Sequence, residues 1–203
     1  MLQDADTSAA RVAFADESFS EHPTAGLYVL AAVVLEPGAC DDVREVMLGL
    51  RRQLRGSRAG DKLHWNHLAR HQQQSALKQV AALPGFHVVT IGSPVPQRRQ
   101  ERARAGCLRH LVVELHGVGV TQLLMEAREQ ELNQRDVRTV TGARFLLPKE
   151  SRFRIDHEFG LREPALWVAD LVAGAVRAHR LGDRTCRELV EEFVYEIEVV
   201  TDC

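Results

Sequence analysis

The sequence predicts an α/β domain in which a mixed sheet of about five strands is flanked by α-helices. Strand-like and helix-like segments alternate along the chain, the pattern of a sheet covered by helices. The first two strand candidates are joined closely enough for a hairpin, so part of the sheet must be antiparallel. No internal repeat, low-complexity tract or linker divides the 203 residues, a length that suits one domain with its own core.

Residues 1–10 are polar and are expected to form a flexible lead. Arg11-Val-Ala-Phe-Ala-Asp-Glu-Ser18 reads as the first strand. Its alternation puts Val12, Phe14 and Asp16 on one face and Ala13, Ala15 and Glu17 on the other, so a carboxylate ends the apolar stripe. After a turn at 19–26, Leu27-Tyr-Val-Leu-Ala-Ala-Val-Val-Leu35 is a continuous apolar run, expected to be a buried strand antiparallel to the first. Asp41 or Asp42 is a candidate N-cap for a helix reaching about Leu54, with Val43, Val46, Met47 and Leu50 on its apolar face.

Residues 55–62 are Gly-rich and basic, as in a flexible surface loop. A helix over 72–83, a turn at Pro84-Gly85 and a strand over 86–91 follow. A long helix over 97–116 opens with Arg98, Arg99, Arg102 and Arg104. Residues 118–126 form a strand ending in Glu126, residues 127–144 a polar helix, and residues 152–157 another strand. Pro164 suits the first turn of a helix. Residues 184–197 are expected to form an acidic helix whose stripe of Leu189, Val190, Phe193, Val194 and Ile197 could dock on its own domain or join a homodimer.

Composition narrows the function classes. A net charge of -2 excludes a uniformly basic nucleic-acid binder while permitting local patches. The four cysteines, Cys40, Cys107, Cys186 and Cys203, form no C-x-x-C pair, so neither a zinc ribbon nor a disulfide framework is indicated. No apolar run approaches the roughly 18 residues of a membrane span, and the amino terminus lacks the order of a signal peptide; a cytoplasmic protein with no membrane partner is expected.

Three acids fall where chemistry could use them: Asp16 on the first strand, Glu126 at the end of a later one, and Asp170. The last is flanked by twelve apolar or small residues in Pro164-Ala-Leu-Trp-Val-Ala-Asp-Leu-Val-Ala-Gly-Ala-Val176, a costly place for an unsatisfied ion. The small Ala169, Ala173 and Gly174 would let this helix approach the sheet and carry the carboxylate to the strand ends. Arg177 is an alternative local partner for Asp170. Gathered carboxylates raise one another's pKa unless a cation is present, and hard oxygen ligands suit Mg²⁺ or Mn²⁺. Asp156 is a fourth candidate acid. His64 and His67 are spaced for one helical turn, but no further zinc ligand is signalled. Arginines at 51, 52, 55 and 58, and at 98, 99, 102 and 104, are candidates for a surface that tracks phosphates.

Ala15-Asp-Glu-Ser18, Lys62-Leu-His-Trp65 and the stretch from Pro164 to Ala175 together resemble the landmarks of the domain-of-unknown-function 3800 family. Its members read roughly Asp-Glu-Ser-Gly, then Lys-x-His/Lys-Trp, then Leu-Gln-x-Ala-Asp-x-x-Ala. The order and spacing agree from about residue 11 to 180. The resemblance implies a ribonuclease H-like fold, with a mixed sheet whose first strand carries a catalytic Asp, and a metal-dependent, nuclease-type acidic site. Carried over, Asp16, Glu126 and Asp170 hold metal, Glu17 supports the site, and Lys62, His64 and Ser18 meet substrate, an RNA or DNA phosphodiester. Trp65 would be a packing anchor. The chain departs from the family at Phe19 for glycine, Trp167 for glutamine, Gly160 for serine and Glu126 for aspartate. Those departures also suit a second expectation, an inactive module that keeps the fold and binds nucleic acid or protein.

Overall fold

In a computed structural model, which describes residues 10–55, 62–201 and 203, the apolar run becomes a strand over Gly26–Leu35 that is buried at every position. Each fully buried Val or Leu there contributes about 1.5–3 kcal/mol, against roughly 0–1 kcal/mol for an exposed ion pair. Burial along this strand therefore contributes far more than exposed ion pairs do. It is β2, and it pairs antiparallel with β1 (Arg11–Ser20) and with β3 (Phe86–Val95). Beyond β1 lie β4 (Val120–Glu126) and β5 (Arg154–Glu158), both parallel to it; beyond β3 lies β6 (Val194–Val199), parallel to β3. The order across this six-stranded sheet is β5-β4-β1-β2-β3-β6.

Alternation along β1 divides the core as the sequence predicts. Phe14 joins Val29, Ala31 and Val33 on one face, under α1 (Cys40–Arg55), α2 (Arg70–Val80) and α5 (Ala165–Arg180). Ala13 and Ala15 join Leu30 and Ala32 on the other, under α3 (Gln100–Gly117) and α4 (Gln130–Ala143). The turn before β3 needs Gly85, which has φ +107° and whose absent Cβ would meet the Val34 carbonyl oxygen at 2.3 Å. At the start of α5, Glu163 accepts the Ala165 N–H at 3.1 Å and pairs with Arg44 at 2.7 Å, tying α1 to that helix end. Among the described residues no helix is long and apolar enough to cross a membrane.

Some expectations need correction. Helix α1 starts at Cys40, after a 3-10 turn at Pro37–Ala39, so Asp41 and Asp42 lie inside its first turn and do not cap it. Residues 184–197 do not form a helix. A 3-10 turn at Arg187–Phe193 buries Val190, and the chain then runs as β6 along the edge of β3. Val-Tyr-Glu-Ile-Glu-Val also fits a period of two, and pairing with β3 satisfies backbone groups that a helix would have left open at that edge. Because Val190 and Val194 are buried in the chain's own core, the stripe expected to support a homodimer is already covered. The expected lead at 1–9 and loop at 56–61 lie outside the described residues.

His87 on β3 gives the fold a pH dependence. It is 4% exposed, its Nδ1 has no partner among the described residues, and burial with Arg187 nearby pushes its pKa down from 6.5 to about 4. The unfolded chain therefore takes up this proton first as pH falls. Stability is lost between about pH 6.5 and pH 4, by about 3 kcal/mol. We expect urea midpoints of the wild type to drop across that range more than those of His87→Leu; parallel pH profiles would contradict this.

Candidate functional site

Parallel pairing of β1 and β4 places two acids side by side. Ala15 is in register with Met125 and both face the α3 core, so the next residues, Asp16 and Glu126, point together to the α5 side. Helix α5 crosses β1 and β2 on that side and brings Asp170. The segment after residue 61 adds Lys62 and His64. These five, with Glu17, Ala127 and Arg128, line a cleft of about 230 Å³.

Asp16 is 7% exposed, and its Oδ1 accepts the Glu17 N–H at 2.8 Å. Burial first, then the charges of Glu17, Glu126 and Asp170 and a hydrogen bond with Glu126, hold its pKa well above the usual carboxylate range. Lys62 Nζ donates to both Glu126 oxygens at 2.6 and 2.5 Å. Burial pulls the lysine pKa down, but Asp16, Glu126 and Asp170 outweigh it and the ammonium is stabilised. Asp170 finds its own partners: Oδ2 accepts the Trp65 backbone N–H at 2.6 Å, and Oδ1 lies 2.9 Å from His64 Nδ1. That imidazole contact has charge-pair distance without hydrogen-bond alignment.

Trp65 is the anchor of this arrangement, and a glycine makes it possible. A Cβ on Gly174 would meet the Trp65 indole at 2.2–2.6 Å, so this small residue of α5 receives the ring, where a close approach to the sheet was expected. Gln73 Nε2 holds the Trp65 carbonyl at 3.2 Å. The indole in its notch and the N–H on Asp170 fix Lys62 and His64 over the strand ends.

Glu17 points through to the other face of the sheet and pairs with Arg104 at 2.6 Å. Arg104 is 1% exposed; it donates to Asp136 at 2.8 and 2.7 Å and to the Tyr28 hydroxyl at 3.0 Å. Arg128 pairs with Glu101 at 2.6 Å and with Asp136 at 3.3 Å, and His157 Nε2 lies 3.2 Å from Asp136. Desolvation alone would raise Asp136, but Arg104, His157 and Arg128 hold its pKa well below the usual range. Arg104 is thus a buried cation behind the site, not part of a phosphate-tracking surface.

Other expected residues fall elsewhere. Ser18, two positions beyond Asp16 on β1, does not line the cleft, and Asp156 accepts from Gln122 at 2.9 Å on an exposed part of β5. Arg177 donates to the Phe19 carbonyl at 3.2 Å and to Asn66 at 2.7 Å and leaves Asp170 to Trp65. Of the arginines read as phosphate trackers, Arg51 stacks over Trp167 at 5.4 Å, and Arg52, Arg98, Arg99 and Arg102 do not line the cleft; the Arg55 side chain and Arg58 lie outside the described residues. Arg128 is the lining residue that sequence reasoning missed. Its only signal was its place two residues after the acid that ends β4.

Three of the unusual residues turn out to be mutually dependent. A Cβ on Gly160 would meet Glu126 Oε1 at 2.8 Å and Lys62 Cδ at 3.0 Å, so the bare backbone at 160 makes room for the longer acid at 126. Trp167 Nε1 donates to the Gly160 carbonyl at 2.6 Å and pins that backbone in place. Phe19 lies within β1 opposite Tyr28, with ring centroids 6.1 Å apart.

No family model, curated protein or solved structure matches the chain. The functional reading rests on this cleft. Among the described residues no group of three His, Cys, Asp or Glu side chains stands in metal-holding geometry; Lys62 occupies both Glu126 oxygens, and Asp170 faces Trp65 and His64. The donor types nevertheless suit a hard divalent cation: three carboxylates line one cleft, and burial first, then the neighbouring carboxylates, raise the Asp16 pKa.

Proposed function

We propose that this cleft hydrolyses a phosphodiester of RNA or DNA, with Asp16, Glu126 and Asp170 as the donors for Mg²⁺ or Mn²⁺. The observation that carries this reading is the convergence of these acids, from two strands and a helix, on one cleft around the buried Asp16. The mixed sheet with an acid on its first strand also supports the ribonuclease H-like fold and the family resemblance of the three motifs. When bound, the ion supplies Lewis-acid polarisation of the phosphoryl oxygens.

The chain's own residues have distinct tasks. Lys62, held on Glu126, is the cation placed to meet a phosphate oxygen and its developing charge, and Glu126, Asp16 and Asp170 are the residues that would hold the ion. His64, which lines the cleft 2.9 Å from Asp170, is the group placed for proton transfer. Glu17 stays with Arg104, and its backbone N–H holds the Asp16 carboxylate in position.

Mn²⁺ titrated into the protein is expected to bind at millimolar concentration or tighter and to switch on cleavage of an RNA or DNA oligonucleotide. Cleavage that survives both Asp16→Asn and Asp170→Asn would refute the assignment. The Lys62–Glu126 pair and the satisfied Asp170 favour a second reading, a module that keeps the fold and binds without chemistry; it predicts no divalent binding in the same titration.

A further inference from the structure

Between β5 and α5 the chain lays Gly160 against Glu126 and Lys62, and one residue earlier it exposes an aromatic ring. Phe159 is 57% exposed, although the loop that carries it is firmly held. Its carbonyl accepts the N–H groups of Arg162 at 2.8 Å and Glu163 at 3.2 Å, and its own N–H donates to Glu158 at 2.7 Å. The next residue, Gly160, packs directly on Glu126 and Lys62 and is fixed by the Trp167 indole. The Arg162 guanidinium lies 5.5 Å from the Phe159 ring centroid. An aromatic of this exposure on a hydrogen-bonded turn, beside a guanidinium that also lies 4.0 Å from Glu158 and one residue from the backbone that packs on Glu126, has the make-up of a stacking platform.

We propose that Phe159, backed by Arg162, stacks an unpaired nucleobase beside the cleft, which makes a single strand the substrate class. The proposal takes its ligand from the phosphodiester reading. In a duplex the base faces are covered by their neighbours and cannot meet the ring, whereas a single strand presents them. The guanidinium adds a positive charge beside the strand's own phosphates.

The test measures binding by fluorescence anisotropy in EDTA, with three labelled probes: a single-stranded oligonucleotide, its duplex, and an abasic strand of equal length. Wild type is expected to prefer the base-bearing single strand over both others. Phe159→Ala should weaken that binding by about 5- to 100-fold and bring it to the abasic level, while Phe159→Trp should retain the preference. Absence of any wild-type preference, or a preference that persists in Phe159→Ala, would overturn the platform. Cleavage with Mn²⁺ is measured in parallel: base-dependent binding without cleavage keeps the platform and removes the hydrolase, and Mn²⁺-dependent cleavage with base-independent binding does the reverse.

Discussion

Asp16→Asn is expected to lower cleavage by at least about 10³-fold, the scale on which single charge-stabilising groups at a reacting centre act, and yet to raise the melting temperature of the metal-free protein. The two effects have one cause. Burial and three neighbouring carboxylates raise the Asp16 pKa in the folded chain, so the folded state binds this proton more tightly than the unfolded state does. Its stabilising contribution is complete below the unfolded pKa of about 3.9 and disappears as pH rises through the folded value. At neutral pH the unfolded chain ionises this group freely, and the folded wild type loses stability in accommodating it. Asparagine keeps the shape without the charge; a gain of about 1 kcal/mol appears as roughly 2–4 °C at this chain length. The gap between variant and wild type should close near pH 4. Mn²⁺ should raise the melting temperature of the wild type and not that of the variant. A variant that melts below the wild type in EDTA at pH 7 would show that Asp16 is satisfied in the fold after all.

Arg104→Met is expected to cost about 3–5 kcal/mol of stability, because it leaves Asp136 and Glu17 facing a buried space without their shared cation. Arg128 and His157 still touch Asp136, which argues for the lower part of that range. Adding Asp136→Leu should restore part of the loss, since replacing a whole buried pair by apolar groups is far less costly than breaking it. Urea denaturation of the single and double variants checks both statements. Equal stability of wild type and Arg104→Met would mean that the pair contributes nothing to the fold.

Most of the sheet and of the cleft was legible before any coordinates. Strands β1 and β2 announce themselves because one alternates and the other is apolar throughout, and local periodicity is what a single sequence reports best. Asp170 was conspicuous for the same reason, an ion within an apolar run. The edge strand β6 was misread because Leu189, Val190, Phe193, Val194 and Ile197 repeat at helical spacing, while its real determinant, the vacant side of β3, is a tertiary fact. Arg104 looked like a surface charge because its partners Asp136, Glu17 and Tyr28 lie 32, 87 and 76 positions away in sequence. Arg128 carried no pattern at all; its place beside the acids follows from the strand pairing that ends at Glu126.

The contact between Gly160 and Glu126 bears on how this chain can evolve. Shortening the acid at 126 leaves empty space that a larger residue at 160 could fill, whereas enlarging 160 first drives a methyl group into a carboxylate that Lys62 already grips. One mutational order is open and the other is closed, a sign epistasis between neighbours in direct contact. With Glu126 in place, position 160 is held to glycine, and it opens to a larger residue only after the acid has shortened.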